Sequence, residues 1–167
     1  MRIAITGPES TGKTTLAEQL ATRTGYPLSS EFARDYIAGL ERPYALSDLI
    51  QIAEGQLAED HKASKGGEDL IADTELTTIK IWAEEKFSHC PLIIDLAWEA
   101  QQFDHYFLCK PDFPWEPDPQ RENPGDRDRL FDLYRKYLDK KEVSYTVLEG
   151  NPESRLEFAI DLINTIP

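Results

Sequence analysis

The sequence predicts an α/β fold in which a mainly parallel five-stranded sheet lies between layers of helix. Two observations carry that reading. Short apolar runs alternate along the chain with longer segments whose apolar residues recur at helical spacing, and parallel strands are the ones that need such crossovers. The runs also lead into Gly7, Ser30, Asp73, Cys109 and Gly150. Five segments therefore converge beyond the carboxyl ends of the strands, where sheets of this kind bind ligands.

The elements follow in order. Ile3 and Ile5 open a short strand, Gly7 to Gly12 form a glycine-bounded loop, and Lys13 to Arg23 carry Leu16, Ala17, Leu20 and Ala21 at helical spacing. A second short strand is expected over 27–30, then a helix from Glu31 to Leu40 and another from about Ser47 to Lys62, with Lys65-Gly66-Gly67 as the break. Asp69 to Asp73 reads as a buried strand ending in a carboxylate, followed by helices over Glu75 to Phe87 and Leu92 to Phe103. His105 to Cys109 is the fourth strand. Lys110 to Gly125 holds five of the 11 prolines and reads as a loop. Asp126 to Lys141 is an amphipathic helix, Ser144 to Leu148 the fifth strand, and Pro152 to Ile163 a closing helix.

Bulk composition narrows the function classes. With 40% hydrophobic and 29% charged residues, the chain has the make-up of a folded soluble protein, and its length suits a single domain over 1–167. A formal net charge of -13 argues against nucleic acid as a partner, because phosphate contacts need an excess of Lys and Arg. Cys90 and Cys109 are the only cysteines and form neither a disulfide framework nor zinc-ligand spacing, which points to the cytoplasm. No apolar run has the length of a signal-peptide core or a bilayer span, so no membrane association is expected.

Gly7-Pro8-Glu9-Ser10-Thr11-Gly12-Lys13-Thr14 matches G-x-x-x-x-G-K-[ST] between a predicted strand and a predicted helix, the context the pattern requires. A P-loop NTPase-like three-layer sandwich is therefore expected, with ATP and Mg²⁺ as its cofactors. Backbone N–H groups of the loop and the following helix N-terminus form an anion site. The expected nucleotide contacts are Gly7, Glu9, Ser10, Thr11, Gly12, Lys13, Thr14 and Thr15, with Lys13 on the β- and γ-phosphates and Thr14 on the metal. Asp73 is the second metal-side residue, or else a helix N-cap.

Glu31, Arg34 and Asp35 follow the second strand and are candidates for the acceptor side, Glu31 to orient and deprotonate a hydroxyl. A lid over about 110–129 offers Asp118 to substrate and Arg121, Arg127 or Arg129 to phosphate. Asn151 and Arg155 either flank a nucleobase or cap a turn. Trp82 and Trp98 are expected in the core, whereas His61, His89 and His105 have no pairing suited to catalysis.

Four segments together resemble the ribosylnicotinamide kinase domain of NadR-like proteins, within the AAA-type group of P-loop ATP-binding domains. They are the P-loop through Thr15, Glu31-Phe32-Ala33-Arg34-Asp35-Tyr36, Asp73-Thr74-Glu75 through Trp82, and Pro114-Trp115-Glu116-Pro117-Asp118 with Arg121. The resemblance implies ATP-dependent phosphorylation of the ribose 5′-hydroxyl of nicotinamide riboside or a related nucleoside. Glu31, Arg34, Asp73 and the lid, with Lys13 and Arg121, would then serve substrate and phosphate. No adenylyltransferase or DNA-binding segment is expected ahead of the P-loop, and Ser29-Ser30 stand where an aromatic would help hold a pyridine ring. An ATP-binding module that drives a partner protein is the other reading of the same P-loop.

Overall fold

In the computed structural model, which describes every residue except Gly66, Glu68 and Pro167, the chain runs in the order that the apolar patterning predicts. The elements are β1 (Arg2–Thr6), α1 (Lys13–Thr24), β2 (Leu28–Ser29), α2 (Phe32–Ala38), α3 (Leu46–Ser64) and β3 (Leu70–Asp73). They continue as α4 (Leu76–Phe87), α5 (Leu92–Ala100), β4 (His105–Cys109), α6 (Arg127–Lys141), β5 (Tyr145–Leu148) and α7 (Pro152–Ile163). The five strands pair in the order β2-β3-β1-β4-β5, and every pairing is parallel. The sheet is thus wholly rather than mainly parallel. Gly66, part of the expected break, lies outside the described residues.

Strand alternation divides the core in two. Ile3, Ile5, Phe107 and Cys109 face one side with Leu16, Leu20 and Ile163, while Ala4, Tyr106 and Leu108 face the other with Leu49, Ile52, Leu76 and Trp98. Period-two side-chain direction makes both faces apolar, so helices must cover both. The central strand β1 delivers its carboxyl end, and hence the P-loop, to the middle of the sheet edge. In register, Ile5 stands beside Asp73 and Thr6 beside Leu108.

Two helix ends differ from the sequence reading for reasons visible in their hydrogen bonds. α5 stops at Ala100 instead of Phe103 because Gln101 turns extended and its buried side chain accepts the Leu76 N–H at 3.0 Å and donates to Asp60 at 3.0 Å. α4 is capped by Glu75, whose carboxylate accepts the N–H and the hydroxyl of Thr77 at 2.8 Å each and the Thr6 hydroxyl at 2.9 Å. This satisfies orphan helix donors and frees Asp73 from capping. Among the described residues, no helix is long and apolar enough to cross a membrane.

Candidate active site

The P-loop curls because its backbone visits conformations that few side chains allow. Gly7 has φ 131° and lies against β4, where a β-carbon would come within 2.7 Å of the Cys109 carbonyl oxygen. No other residue fits there. Inside the loop, Thr11 Oγ1 and Lys13 Nζ both donate to the Pro8 carbonyl, at 2.9 and 2.7 Å. Gly12 then opens α1 in the left-handed region.

A cleft of about 420 Å³ opens over this loop. Gly7, Glu9, Ser10, Thr11, Gly12, Lys13, Thr14 and Thr15 line it from the P-loop, Glu31 and Arg34 from the start of α2, Arg121 from the long loop and Arg155 from α7. Thr78, Trp82 and Tyr134 complete the wall opposite α1. Most of the expected site residues therefore meet in one cavity. Asp35 is exposed, and it, Asp73, Asp118 and Asn151 do not line the cleft; Asn151 caps α7 by accepting the Ser154 N–H at 2.9 Å.

Asp73 sits in the sheet edge beside Thr14, 3% exposed, with its Oδ1 buried and without a hydrogen-bond partner. The adjacent Thr74 has φ 79°, a strained value for a β-branched residue, and its buried hydroxyl is also unpartnered. Burial pushes the Asp73 carboxyl up to about 6; the Thr14 hydroxyl and the Lys13 and Arg34 charges pull it down, while Glu31 adds to the rise. An orphaned carboxylate oxygen next to a hydroxyl is the oxygen donor set that Mg²⁺ takes, so the residues present fit the ion.

The loop over 110–126 carries neither helix nor strand and is bonded directly to the P-loop. Glu9 accepts the N–H groups of Glu122 and Asn123 at 3.1 and 3.2 Å. Ser10 Oγ accepts the Glu116 N–H at 3.0 Å and lies 3.4 Å from Arg121, and the Ser10 carbonyl accepts Arg127 at 3.0 Å. On the opposite side, Asp118 pairs with Arg34 at 3.2 Å, and Gln120 donates to the Arg34 carbonyl at 3.0 Å. Asp118 is held below the usual carboxylate range by the Gln120 N–H and the Arg34 guanidinium.

The arginines divide by role. Arg121 reaches the cleft, whereas Arg127 clamps Ser10 and Phe113 and does not line it, and Arg129 turns away to Glu85 and Asp126. Arg155 is 2% exposed and donates to the carbonyls of Thr11 and Lys110 at 2.8 Å and of Gly150 at 3.1 Å, besides pairing with Asp112.

Trp98 is buried as expected and donates to Thr77 at 2.9 Å, but Trp82 is only half-buried and belongs to the cleft wall. Its helix is apolar on most faces, so spacing alone could not tell core from cleft. Tyr134 escaped the sequence reading for the same reason: it sits on the apolar face of α6, its hydroxyl held by Thr78 at 3.0 Å. Trp82 and Tyr134 are thus aromatic residues of the cleft wall, Tyr134 with 3% of its surface exposed.

Comparison with known proteins agrees with the fold. The chain is 25% identical over 169 residues to the trifunctional NAD biosynthesis/regulator protein NadR of Escherichia coli K12, covering 96% of this chain. It spans only 41% of that relative's length. A crystal structure of NadR protein in complex with NAD and AMP-PNP superposes with a TM-score of 0.81 at 19% identity, over 98% of this chain and 48% of the other. Thymidylate kinase from Ehrlichia chaffeensis superposes with a TM-score of 0.72 at 17% identity, over 98% of each chain. The AAA domain family matches residues 2–155, and the chain belongs to that family.

Proposed function

We propose that this chain is an ATP-dependent small-molecule kinase that phosphorylates the ribose 5′-hydroxyl of nicotinamide riboside or a related nucleoside. One observation carries the reading: a P-loop and an acceptor-side carboxylate, Glu31, face the same cleft together with the aromatic side chains of Trp82 and Tyr134. A phosphate grip alone would serve any NTPase; the carboxylate and aromatic wall call for a second, ring-bearing ligand.

The residues then divide the work. The P-loop and Lys13 bind and neutralise the triphosphate, and Arg121 faces the transferring phosphoryl group. Thr14 and Asp73 would hold Mg²⁺, which neutralises charge on the β- and γ-phosphates when bound. Glu31 accepts the proton of the attacking hydroxyl as the new oxygen–phosphorus bond forms and the bond to the β-phosphate oxygen breaks, releasing ADP. Arg34 keeps Glu31 oriented through their 3.6 Å ion pair, and the lid excludes competing water.

A recess of about 270 Å³ beside the cleft is bordered by Tyr44, Trp82 and Tyr134. Two of its carboxylates are answered by cations, Glu122 by Lys86 and Glu85 by Arg129, and the Lys86 ammonium stands 3.6 Å from the centre of the Tyr44 ring. The aromatic faces suit a ring, and the charge beside them does not select a pyridinium over a neutral base.

Incubation with ATP, Mg²⁺ and nicotinamide riboside is expected to give ADP and nicotinamide mononucleotide in equal amounts. Acceptor-dependent ADP release with other nucleosides alone would reject the named substrate. Slow ATP hydrolysis insensitive to every acceptor would replace the kinase reading with that of an ATPase module.

A further inference from the structure

The acceptor-side carboxylate has an unusual local setting. Glu31 is the N-cap of α2, yet its side chain makes no capping bond; it points instead to the cleft and is 16% exposed. An N-cap carboxylate ordinarily accepts an N–H from the first turn and is thereby used up. Here that role passes to another residue. Gln56 of α3, 1% exposed, accepts the Phe32 N–H on its Oε1 at 2.9 Å and donates from Nε2 to the Ser30 carbonyl at 3.2 Å. One buried amide thus grips the backbone on both sides of Glu31.

The orientation of that amide is fixed by its own neighbour. Asp60, 2% exposed, accepts from Gln56 Nε2 at 3.1 Å, from the Ser29 hydroxyl at 2.6 Å and from Gln101 at 3.0 Å. A carboxylate only accepts, so the nitrogen of Gln56 must face Asp60 and Ser30, leaving the oxygen for Phe32. The preceding residue completes the seat. At Gly55 a β-carbon would stand 2.2 Å from the Phe32 ring, so the glycine is what lets that ring pack against α3 here.

We infer that Gln56 is a positioning residue for phosphoryl transfer, set by Asp60 and acting through Glu31 by fixing the backbone of residues 30–32. The inference rests on the role given to Glu31 under the proposed function. A buried amide that served only stability would lower folding stability without a selective effect on transfer. A positioning residue changes the rate of the step its partner serves, because an error of about 1 Å in a reacting group costs up to about 100-fold.

The test is a double-mutant cycle of Gln56→Met and Glu31→Gln in the full chain. The acceptor is whichever of nicotinamide riboside, thymidine and deoxyadenosine gives the fastest ADP release with ATP and Mg²⁺. Gln56→Met is expected to lower kcat by about 10- to 100-fold with the KM for ATP and the acceptor-independent ATPase rate little changed. In the Glu31→Gln background the same substitution should cost almost nothing more.

Asp60→Ala removes the acceptor that Gln56 Nε2 meets and should give the same signature at smaller size; it stands in if Gln56→Met does not fold. Independent, multiplying losses in the double variant would overturn the role of Gln56 while leaving that of Glu31 intact. An undiminished rate in Glu31→Gln, or no acceptor-dependent turnover with any of the three nucleosides, would overturn the underlying reading and this inference with it.

Discussion

Glu9, a variable position of the P-loop pattern, accepts the backbone N–H of Glu122 at 3.1 Å across most of the chain's length. The P-loop and the proline-rich loop are therefore one hydrogen-bonded unit, extended by Ser10 to Glu116 and Arg127. A carboxylate that holds two amides of that loop ties it to the rim of the cleft.

Glu9→Ala should loosen that tie. The expected result is a higher ratio of ATP hydrolysis to acceptor phosphorylation, by about 3- to 10-fold, the scale of losing one or two net hydrogen bonds. Measuring ADP and phosphorylated acceptor in the same reaction checks this, and an unchanged ratio would show that the lid is held by its other contacts.

Arg155 presents the opposite case, a residue whose guanidinium serves structure. It joins the carbonyls of Thr11, Lys110 and Gly150, binding the P-loop to the ends of β4 and β5. Arg155→Ala should destabilise the fold by on the order of 3 kcal/mol, because it strands buried acceptors and the Asp112 carboxylate. Urea denaturation reads the loss. Arg155→Lys should recover little of it, since an ammonium cannot reproduce a planar fork that bridges three carbonyls.

These two residues mark what was legible in the sequence. Strand and helix positions and the phosphate loop follow from apolar period and from glycines, both local signals, and Gly7 and Lys13 stand where those signals put them. The partners of Glu9 and Arg155 depend on how a loop folds back over the sheet edge, and a single sequence holds no record of that. Trp82 and Tyr134 were illegible for a different reason: the lining of a cleft and the lining of a core are both apolar. Gln56 shows no motif at all, because its function lies in a backbone two segments away.

The P-loop lysine and the acceptor-side glutamate should fail differently. Lys13→Ala is expected to abolish nucleotide binding or turnover, since it removes the only ammonium among the residues lining the cleft. Glu31→Gln should instead lower kcat while leaving ATP affinity nearly intact. Calorimetry with Mg²⁺-nucleotide beside steady-state kinetics separates the two. Equal loss of ATP binding in both variants would move Glu31 from the acceptor side to the phosphate side.

Asp73 ties stability to pH with a definite sign. Its carboxyl rises from an ordinary 3.8 to about 6 in the folded, ligand-free protein, chiefly through burial. The folded state thus holds the proton more tightly than the unfolded chain. The stability this confers is fully present below pH 3.8 and lost as pH rises through about 6, a loss of up to roughly 3 kcal/mol. Asp73→Asn carries no charge to bury, so relative to wild type it should gain stability between about pH 4 and about pH 7, seen as a rising difference in urea midpoint that levels off above that range. Mg²⁺-nucleotide binding should respond in the reverse direction, because a protonated carboxyl is no metal ligand: wild-type affinity should fall by about tenfold for each pH unit below about 6, beyond any change in the Asn variant, which cancels the titration of the nucleotide itself. A stability difference that does not vary with pH would mean that the orphaned Oδ1 finds a partner in solution, and that Asp73 stays ionised without a metal.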